Sequence, residues 1–236
     1  MKRSFTMRCP PVFIAAAAVV LAVSPALAPP VPAQESIRLG AKLAMNVGWF
    51  GGSDWNDFID FLDAHPEVGS AANETRIGVT GGGFLEAGFT PNFALQLELL
   101  IASVGGAYSY DLPAFGIDVD GTITATGLKL PVLLKPKVPV GRAGALYLLL
   151  GPAPVLILGD VEYEESGGGF SVSASESPDN RFVFSATAGA GYEHTLGPGA
   201  LGFEVRYNRT FTDIFDNDNT RINSVSFCLG YGFDLF

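Results

Sequence analysis

Apolar and polar residues alternate along much of the chain with a period of two. In the segment 225–236 an apolar, often aromatic residue occupies every second position, and small or polar residues lie between. Successive side chains of a β-strand point to opposite faces, so this strand has one apolar face and one small or polar face. The segment 37–49 has the same pattern, with Lys42 and Asn46 on its polar face. The pattern is typical of transmembrane barrel strands; a soluble β-sandwich is the alternative.

The same alternation predicts eight strands in the whole chain. They cover residues 37–49, 76–89, 93–101, 122–135, 145–161, 181–194, 201–212 and 222–236. The fifth strand has the weakest pattern, because it is apolar on both faces and contains Pro152 and Pro154. Proline cannot donate a ladder hydrogen bond, so we expect a bulge or a break there.

Long and short connections alternate between these strands. The long ones are 50–75, 108–121, 162–180 and 213–221, and the short ones are 90–92, 136–144 and 195–200. Eighteen of the 24 acidic residues lie in or beside the long connections. This order predicts an all-β, eight-stranded antiparallel transmembrane β-barrel of up-and-down topology, with short periplasmic turns and long extracellular loops.

The N-terminus has the features of an export signal. Lys2, Arg3 and Arg8 precede an almost unbroken apolar run at 12–23. We predict a cleaved signal peptide at 1–33, with cleavage after Ala28 as the alternative, and a barrel domain at 34–236. Removal of Cys9 with the signal would leave Cys228 alone, so no intramolecular disulfide is expected.

Composition supports a barrel over helical spans. Hydrophobic residues make up 48% of the chain and charged residues 16%, with 29 glycines. No segment after the signal has 18 consecutive apolar residues, so no transmembrane helix is predicted. The net charge of −10 makes nucleic acid a poor candidate partner.

A few charged residues fall on the inward faces of the predicted strands. An eight-stranded barrel has an interior that side chains can fill, and an unpaired buried charge is costly there. We therefore predict an ion-pair network inside the barrel; the alternative is the solvated polar face of an open sheet. The predicted members are Arg38, Lys42, Glu86, Glu98, Lys129, Glu204 and Arg206.

Four strand segments carry a family resemblance. They are 127–135 (GLKLPVLLK), 148–154 (LLLGPAP), 188–193 (AGAGYE) and 204–208 (EVRYN). They resemble the corresponding strands of the PorT-like outer-membrane β-barrel domain family, whose architecture is similar to the small OmpA/OmpX-type barrels. The resemblance implies that Pro131, Pro152 and Pro154 are tolerated within the strands. The chain departs from the usual terminal pattern, because the outward face ends at Leu235 and Phe236 lies one place beyond it.

Residues that would indicate catalysis or metal binding are few. His65 lies in the first long connection and His194 beside a short turn, so we expect them on opposite sides of the membrane. The segment 216–220 (DNDNT) resembles the start of a calcium loop, but Arg221 and Phe227 stand where that loop needs Gly and Glu. We therefore predict no catalytic residue, no metal site and no cofactor.

The first long connection contains a helix-like segment at 53–64. Ser53 or Asp54 is the predicted cap, and Trp55, Phe58, Ile59 and Leu62 share one side. Such a helix could be a lid on the barrel mouth, a membrane-surface contact or a partner-binding site. A lid packed on the rim is the simplest of these.

The pattern as a whole predicts a bacterial outer-membrane protein that is exported through the periplasm. Its expected partners are outer-membrane lipid, the barrel assembly machinery and an envelope or extracellular protein. The leading function is structural or interactive, as an envelope anchor, an adhesin or an accessory of secretion. A small passive pore for small solutes is the alternative, and a lipid-modifying enzyme is a third.

Overall fold

A computed structural model describes residues 36–212 and 219–235. These residues form one antiparallel sheet of thirteen strands and a single helix, α1 (Ser53–Asp63). The strands are β1 (Ser36–Gly51), β2 (Ala71–Glu74), β3 (Arg76–Thr90), β4 (Phe93–Leu112), β5 (Ile117–Lys129), β6 (Val132–Val140), β7 (Gly144–Pro152), β8 (Val155–Gly167), β9 (Phe170–Glu176), β10 (Phe182–Val183), β11 (Ser185–Leu196), β12 (Gly199–Thr210) and β13 (Arg221–Asp234).

The thirteen strands differ from the predicted eight for local reasons. Three predicted strands are each divided in two, at Pro131, at Ala153–Pro154 and at Phe184. Proline explains the first two breaks, because it has no N–H for the ladder. Two further short strands, β2 and β9, lie within predicted connections.

Two of the predicted long connections are mostly strand. β4 and β5 continue to a turn at 113–116, and β8 and β9 form a hairpin that turns at 168–169. The β4 extension was missed because the apolar residues move from odd to even positions beyond Ile101, so the alternation of the lipid-facing segment does not continue in phase. Gly105, with φ +149°, contributes to the irregularity; a Cβ there would lie 2.0 Å from the Ile123 carbonyl oxygen.

The strands follow one another as an antiparallel meander. β1 lies between β3 and β13, with Leu43 opposite Leu229. β4 pairs with β3 on one side; on the other it pairs with β5 along its second half and with β6 along its first, where Leu95 faces Leu134. β8 likewise pairs with β5 and β7 with β6.

The predicted alternation of faces is confirmed on the described strands. In β1, Leu43 is 61% exposed while its neighbours Lys42 and Ala44 are buried. In β13, Phe227 and Leu229 are exposed and Cys228 between them is buried. The exposed side therefore carries an apolar belt, and the polar side chains point inward.

Several predictions concern residues outside the described ranges. They include the signal peptide at 1–33, the Asp216–Asp218 part of the calcium-like loop, and Phe236. Within the described residues, no helix has the length and apolar character needed to cross a membrane.

Candidate functional site

Four buried charged side chains form an ion-pair cluster in the interior, here called the central cluster: Lys42, Glu98, Glu204 and Arg206. Lys42 Nζ lies 2.7 Å from Glu98 Oε1 and 2.8 Å from Glu204 Oε2. Arg206 holds Glu98 with two nitrogens, each at 2.7 Å, and its Nε donates to Glu204 Oε2 at 2.6 Å. The four residues are 3–7% exposed. With two cations and two carboxylates, the cluster is neutral.

Neighbouring polar groups complete the hydrogen bonding of the central cluster. The Tyr147 hydroxyl donates to Glu204 Oε1 at 3.0 Å, and the Gln96 amide donates to Glu98 Oε1. Because a buried carboxylate needs several donors to replace water, these contacts keep both glutamates satisfied.

A second group of ion pairs, the turn-side cluster, lies toward the short turns. Its members are Arg38, Glu86, Lys135, Lys137, Glu193 and Asp234. Lys135 Nζ lies 2.6 Å from Glu86 and 2.8 Å from Glu193, and Lys137 contacts the same two carboxylates. Arg38 lies 2.6 Å from Asp234 and 3.6 Å from Glu86.

The predicted network is confirmed for all its members except Lys129. That prediction was wrong, because Lys129 Nζ donates to the neutral Asn208 Oδ1 at 2.5 Å and forms no ion pair with any described carboxylate. Sequence reasoning also missed Lys135, Lys137, Glu193 and Asp234. The sequence carried a signal for two of them. Lys135 lies an even number of positions from Lys129, and Glu193 an even number from the inward Thr187, which predicts the same strand face for each pair.

Uncharged polar side chains form the next layer of the interior, away from the short turns. Asn46 donates to Thr80 at 2.6 Å, and Asn208 accepts from Thr187 at 2.7 Å and donates to Ser226 at 2.9 Å. The cavity beside this layer measures about 30 Å³, and the one between the two charged clusters about 20 Å³. Such voids have room for little more than a water molecule.

A larger cavity lies at the opposite end, under α1, and is here called the mouth cavity. It measures about 470 Å³. Aromatic rings dominate its lining: the centroid of Trp55 lies 4.4 Å from that of Phe50, 5.3 Å from Phe58 and 5.9 Å from Tyr108. Burial and the Glu165 carboxylate beside it raise the pKa of the Tyr108 phenol, which lies beyond the apolar belt.

The helix over this cavity is attached at both ends. The Asn219 backbone N–H donates to Asp54 Oδ2 at 2.9 Å, and Ala71 N–H donates to Asp63 Oδ1 at 3.2 Å. The predicted cap was wrong, because Gly52 is the N-cap residue and no side chain caps the helix. The apolar side is as predicted, with Trp55 buried and Ile59 packed against the same cluster, so α1 covers the mouth cavity.

The two histidines do not meet. His65 Nδ1 lies 3.1 Å from the Phe61 carbonyl oxygen, and His194 Nδ1 lies 3.2 Å from the Tyr192 hydroxyl. His65 follows α1, whereas His194 lies near the β11–β12 turn at the other end of the sheet. Among residues 36–212 and 219–235, no group of three or more His, Cys, Asp or Glu is arranged to hold a metal ion.

Solved barrel proteins resemble the chain at low identity. Ail of Yersinia pestis is 13% identical over 85% of this chain and 100% of its own, with a TM-score of 0.38. Neisserial surface protein A is 11% identical over 84% and 97%, with a TM-score of 0.41. OprG of Pseudomonas aeruginosa is 13% identical over 86% and 96%, also at 0.41. Similarity at this level carries no argument about function. No curated protein matches the chain.

A match to a protein-family model assigns the chain to a family. The model of the outer membrane protein beta-barrel domain matches residues 13–233, which is nearly the whole chain. The match agrees with the antiparallel meander and with the outward apolar belt described above. The predicted location, the bacterial outer membrane, is thereby confirmed. The chain belongs to the outer membrane protein beta-barrel domain family.

Proposed function

We propose that the chain forms a closed barrel of eight membrane-crossing strands. Three of these are composite: β5 with β6, β7 with β8, and β10 with β11. The strand pairing supports this count: β5 and β6 both pair with β4, β8 and β7 pair with β5 and β6, and β10 and β11 pair with β8 and β7. The β1–β13 pairing then leaves every crossing strand with two neighbours, as a barrel requires.

We further propose a PorT-like relationship within the family, with the short turns in the periplasm and the long connections outside. The strand motifs at 127–135 and 148–154, with prolines at 131, 152 and 154, support the relationship. The alternation of connection lengths supports the orientation, because outer-membrane barrels have short periplasmic turns and longer extracellular loops.

The proposed function is structural or interactive: a plugged barrel that anchors acidic loops in the outer membrane for adhesion, envelope stability or secretion. The central cluster is the observation that carries this proposal. Its four buried, mutually paired charges occupy the interior; the cavity on the turn side of the cluster measures about 20 Å³, and the one beside the neighbouring polar layer about 30 Å³. A solute could pass only by separating these ion pairs, so a passive pore is disfavoured.

Conductance across planar lipid bilayers tests the plug. The wild-type protein is expected to give no regular current steps. The double variant Lys42→Ala/Glu204→Ala removes one cation and one carboxylate, and leaves Glu98 bound to Arg206. Because this change opens space without stranding a charge, we expect it to conduct, which shows that the assay detects inserted protein.

Regular wild-type current steps of the same size as those of the double variant would contradict the plug. The small passive pore would then become the leading function. Folding of both proteins is checked beforehand by gel migration with and without boiling.

We also propose that the protein is not an enzyme and that its partners are outer-membrane lipid, the barrel assembly machinery and an envelope or extracellular protein. The exposed apolar belt supports the lipid contact. The histidine contacts support a non-catalytic role, because His65 and His194 meet a carbonyl and a phenol and not a serine with a carboxylate.

A further inference from the structure

We propose that the mouth cavity binds a small, uncharged, mainly apolar molecule that carries one hydrogen-bond acceptor, such as a carbonyl oxygen. The proposal goes beyond the proposed function, because neither a plug nor a display of acidic loops requires a ligand. The two proposals are also tested independently, because conductance tests the plug and ligand binding tests the cavity.

The size and lining of the cavity suit a small molecule. At about 470 Å³ it lies within the range of about 300–1,000 Å³ that is usual for ligand pockets. Phe50, Trp55, Phe58, Ile123 and Tyr163 supply apolar and aromatic surface from α1, β1, β5 and β8. A ligand placed there would bury most of its surface against these rings.

The indole N–H of Trp55 indicates where the ligand needs an acceptor. Trp55 is 5% exposed, and its Nε1 has no hydrogen-bond partner among the described residues. An indole nitrogen can only donate, and a buried one normally finds an acceptor. Trp55 lines the mouth cavity, so a small rotation of the indole would bring this N–H to an acceptor on a bound molecule.

The charges at the cavity argue against an anionic ligand. Asp54 and Glu165 both line it. Tyr108 donates its hydroxyl proton to Glu165 at 2.5 Å, so this hydroxyl is already engaged and the Glu165 carboxylate lies beside the cavity. A carboxylate or phosphate ligand would meet like charge in a poorly hydrated space. The acceptor is therefore expected to be uncharged.

The cavity is held open before any ligand arrives. The bonds from Asn219 to Asp54 and Ser53 fix the start of α1, and the Asn73 amide donates to the Phe50 carbonyl at 2.8 Å. A preformed site loses less conformational freedom on binding. The attached helix thus favours a binding site over a collapsible gap.

Calorimetry in lipid nanodiscs, with empty nanodiscs as the blank, tests the proposal with three probes. Benzophenone has two aromatic rings and a carbonyl acceptor, diphenylmethane has the same skeleton without the acceptor, and 4-benzoylbenzoate adds a negative charge. We expect saturable binding of benzophenone, weaker binding of diphenylmethane by about tenfold, as for one hydrogen bond, and weaker binding still of 4-benzoylbenzoate.

Two variants and a matched control locate the site. Trp55→Phe should lower the affinity ratio of benzophenone to diphenylmethane about tenfold, toward one, because it removes the donor. Ala125→Phe places a ring in the lining and should abolish binding of both probes. Trp49→Phe makes the same chemical change outside the cavity and should alter neither affinity.

The proposal is overturned if wild-type protein binds no benzophenone saturably, or if 4-benzoylbenzoate binds most tightly. It is also overturned if Ala125→Phe leaves binding intact, which would place the probe elsewhere, or if Trp55→Phe lowers both affinities equally. Should Trp55→Phe fail to fold, the probe series and Ala125→Phe still decide the outcome.

Discussion

At the scale of single residues, the interior is organised by charge pairing. Glu98 receives hydrogen bonds from Lys42, Gln96 and Arg206 at once. The loss of water around such buried charges can equal or exceed their mutual attraction, so the pairs contribute little net stability while the loss of one partner is severe. The central cluster therefore fixes which side chains meet more than it strengthens the fold.

A double-mutant cycle in the central cluster follows from this reasoning. Glu98→Gln and Arg206→Met should each lower the free energy of unfolding by about 3–5 kcal/mol, because each strands a buried charge. The double variant should be nearly neutral, since Lys42 and Glu204 remain paired. Unfolding in urea with lipid present measures all three.

An exposed carboxylate provides the control for this cycle. Glu176→Gln, on an exposed strand, should change the free energy of unfolding by less than about 0.5 kcal/mol. Additive losses in the double variant would mean that Glu98 and Arg206 are not coupled, and that the interior is hydrated.

Which side chains would point inward was predictable, but their partners were not. Parity assigned Lys42, Glu98 and Glu204 to the interior correctly, because the period of a strand is fixed by its backbone. The alternation shows which face a side chain lies on, but not how far it is from another side chain. Lys129 was therefore grouped with the carboxylates, although its partner is Asn208. Partners across a sheet depend on strand register, which one sequence does not supply.

At the scale of elements, the strands were predictable where they face lipid and less so elsewhere. Within the apolar belt one face meets lipid and the other the interior, so alternation marks each strand clearly. Beyond Ile101 the apolar residues of β4 move to the opposite face, at Val104, Tyr108 and Tyr110, so the lipid-facing alternation ends although the strand continues to Leu112. The long connections were consequently predicted as loops.

Helix α1 offers a test at this scale. Asp54→Ala removes the acceptor of the Asn219 backbone N–H. The loss of one such bond, about 1 kcal/mol, should speed amide hydrogen exchange in 53–63 by roughly fivefold.

The matched control is Asp57→Ala in the same helix, where the side chain is exposed and bonds to no other described residue. Exchange there should stay at the wild-type rate within about twofold. Equal acceleration in both variants would show that helix propensity, and not the Asn219 contact, holds α1 in place.

At the scale of the whole molecule, orientation in the membrane is the property that matters for function. In a Cys228→Ser background, Gly168→Cys places a thiol at the tip of the β8–β9 hairpin, and Arg142→Cys places one in the β6–β7 turn. Treatment of intact cells with an impermeant maleimide should label only the first. Labelling of the second alone would mean that the orientation is reversed.

The extension of β4 beyond the apolar belt sets how far the tip of its hairpin projects from the membrane. The residues from Ala102 to Leu112 continue the strand past Ile101. At about 3.4 Å per residue they add roughly 35 Å of strand, or about 25 Å of height at a 45° tilt. The tip of this hairpin therefore stands well beyond the apolar belt, at a height where large molecules can touch it without touching the membrane.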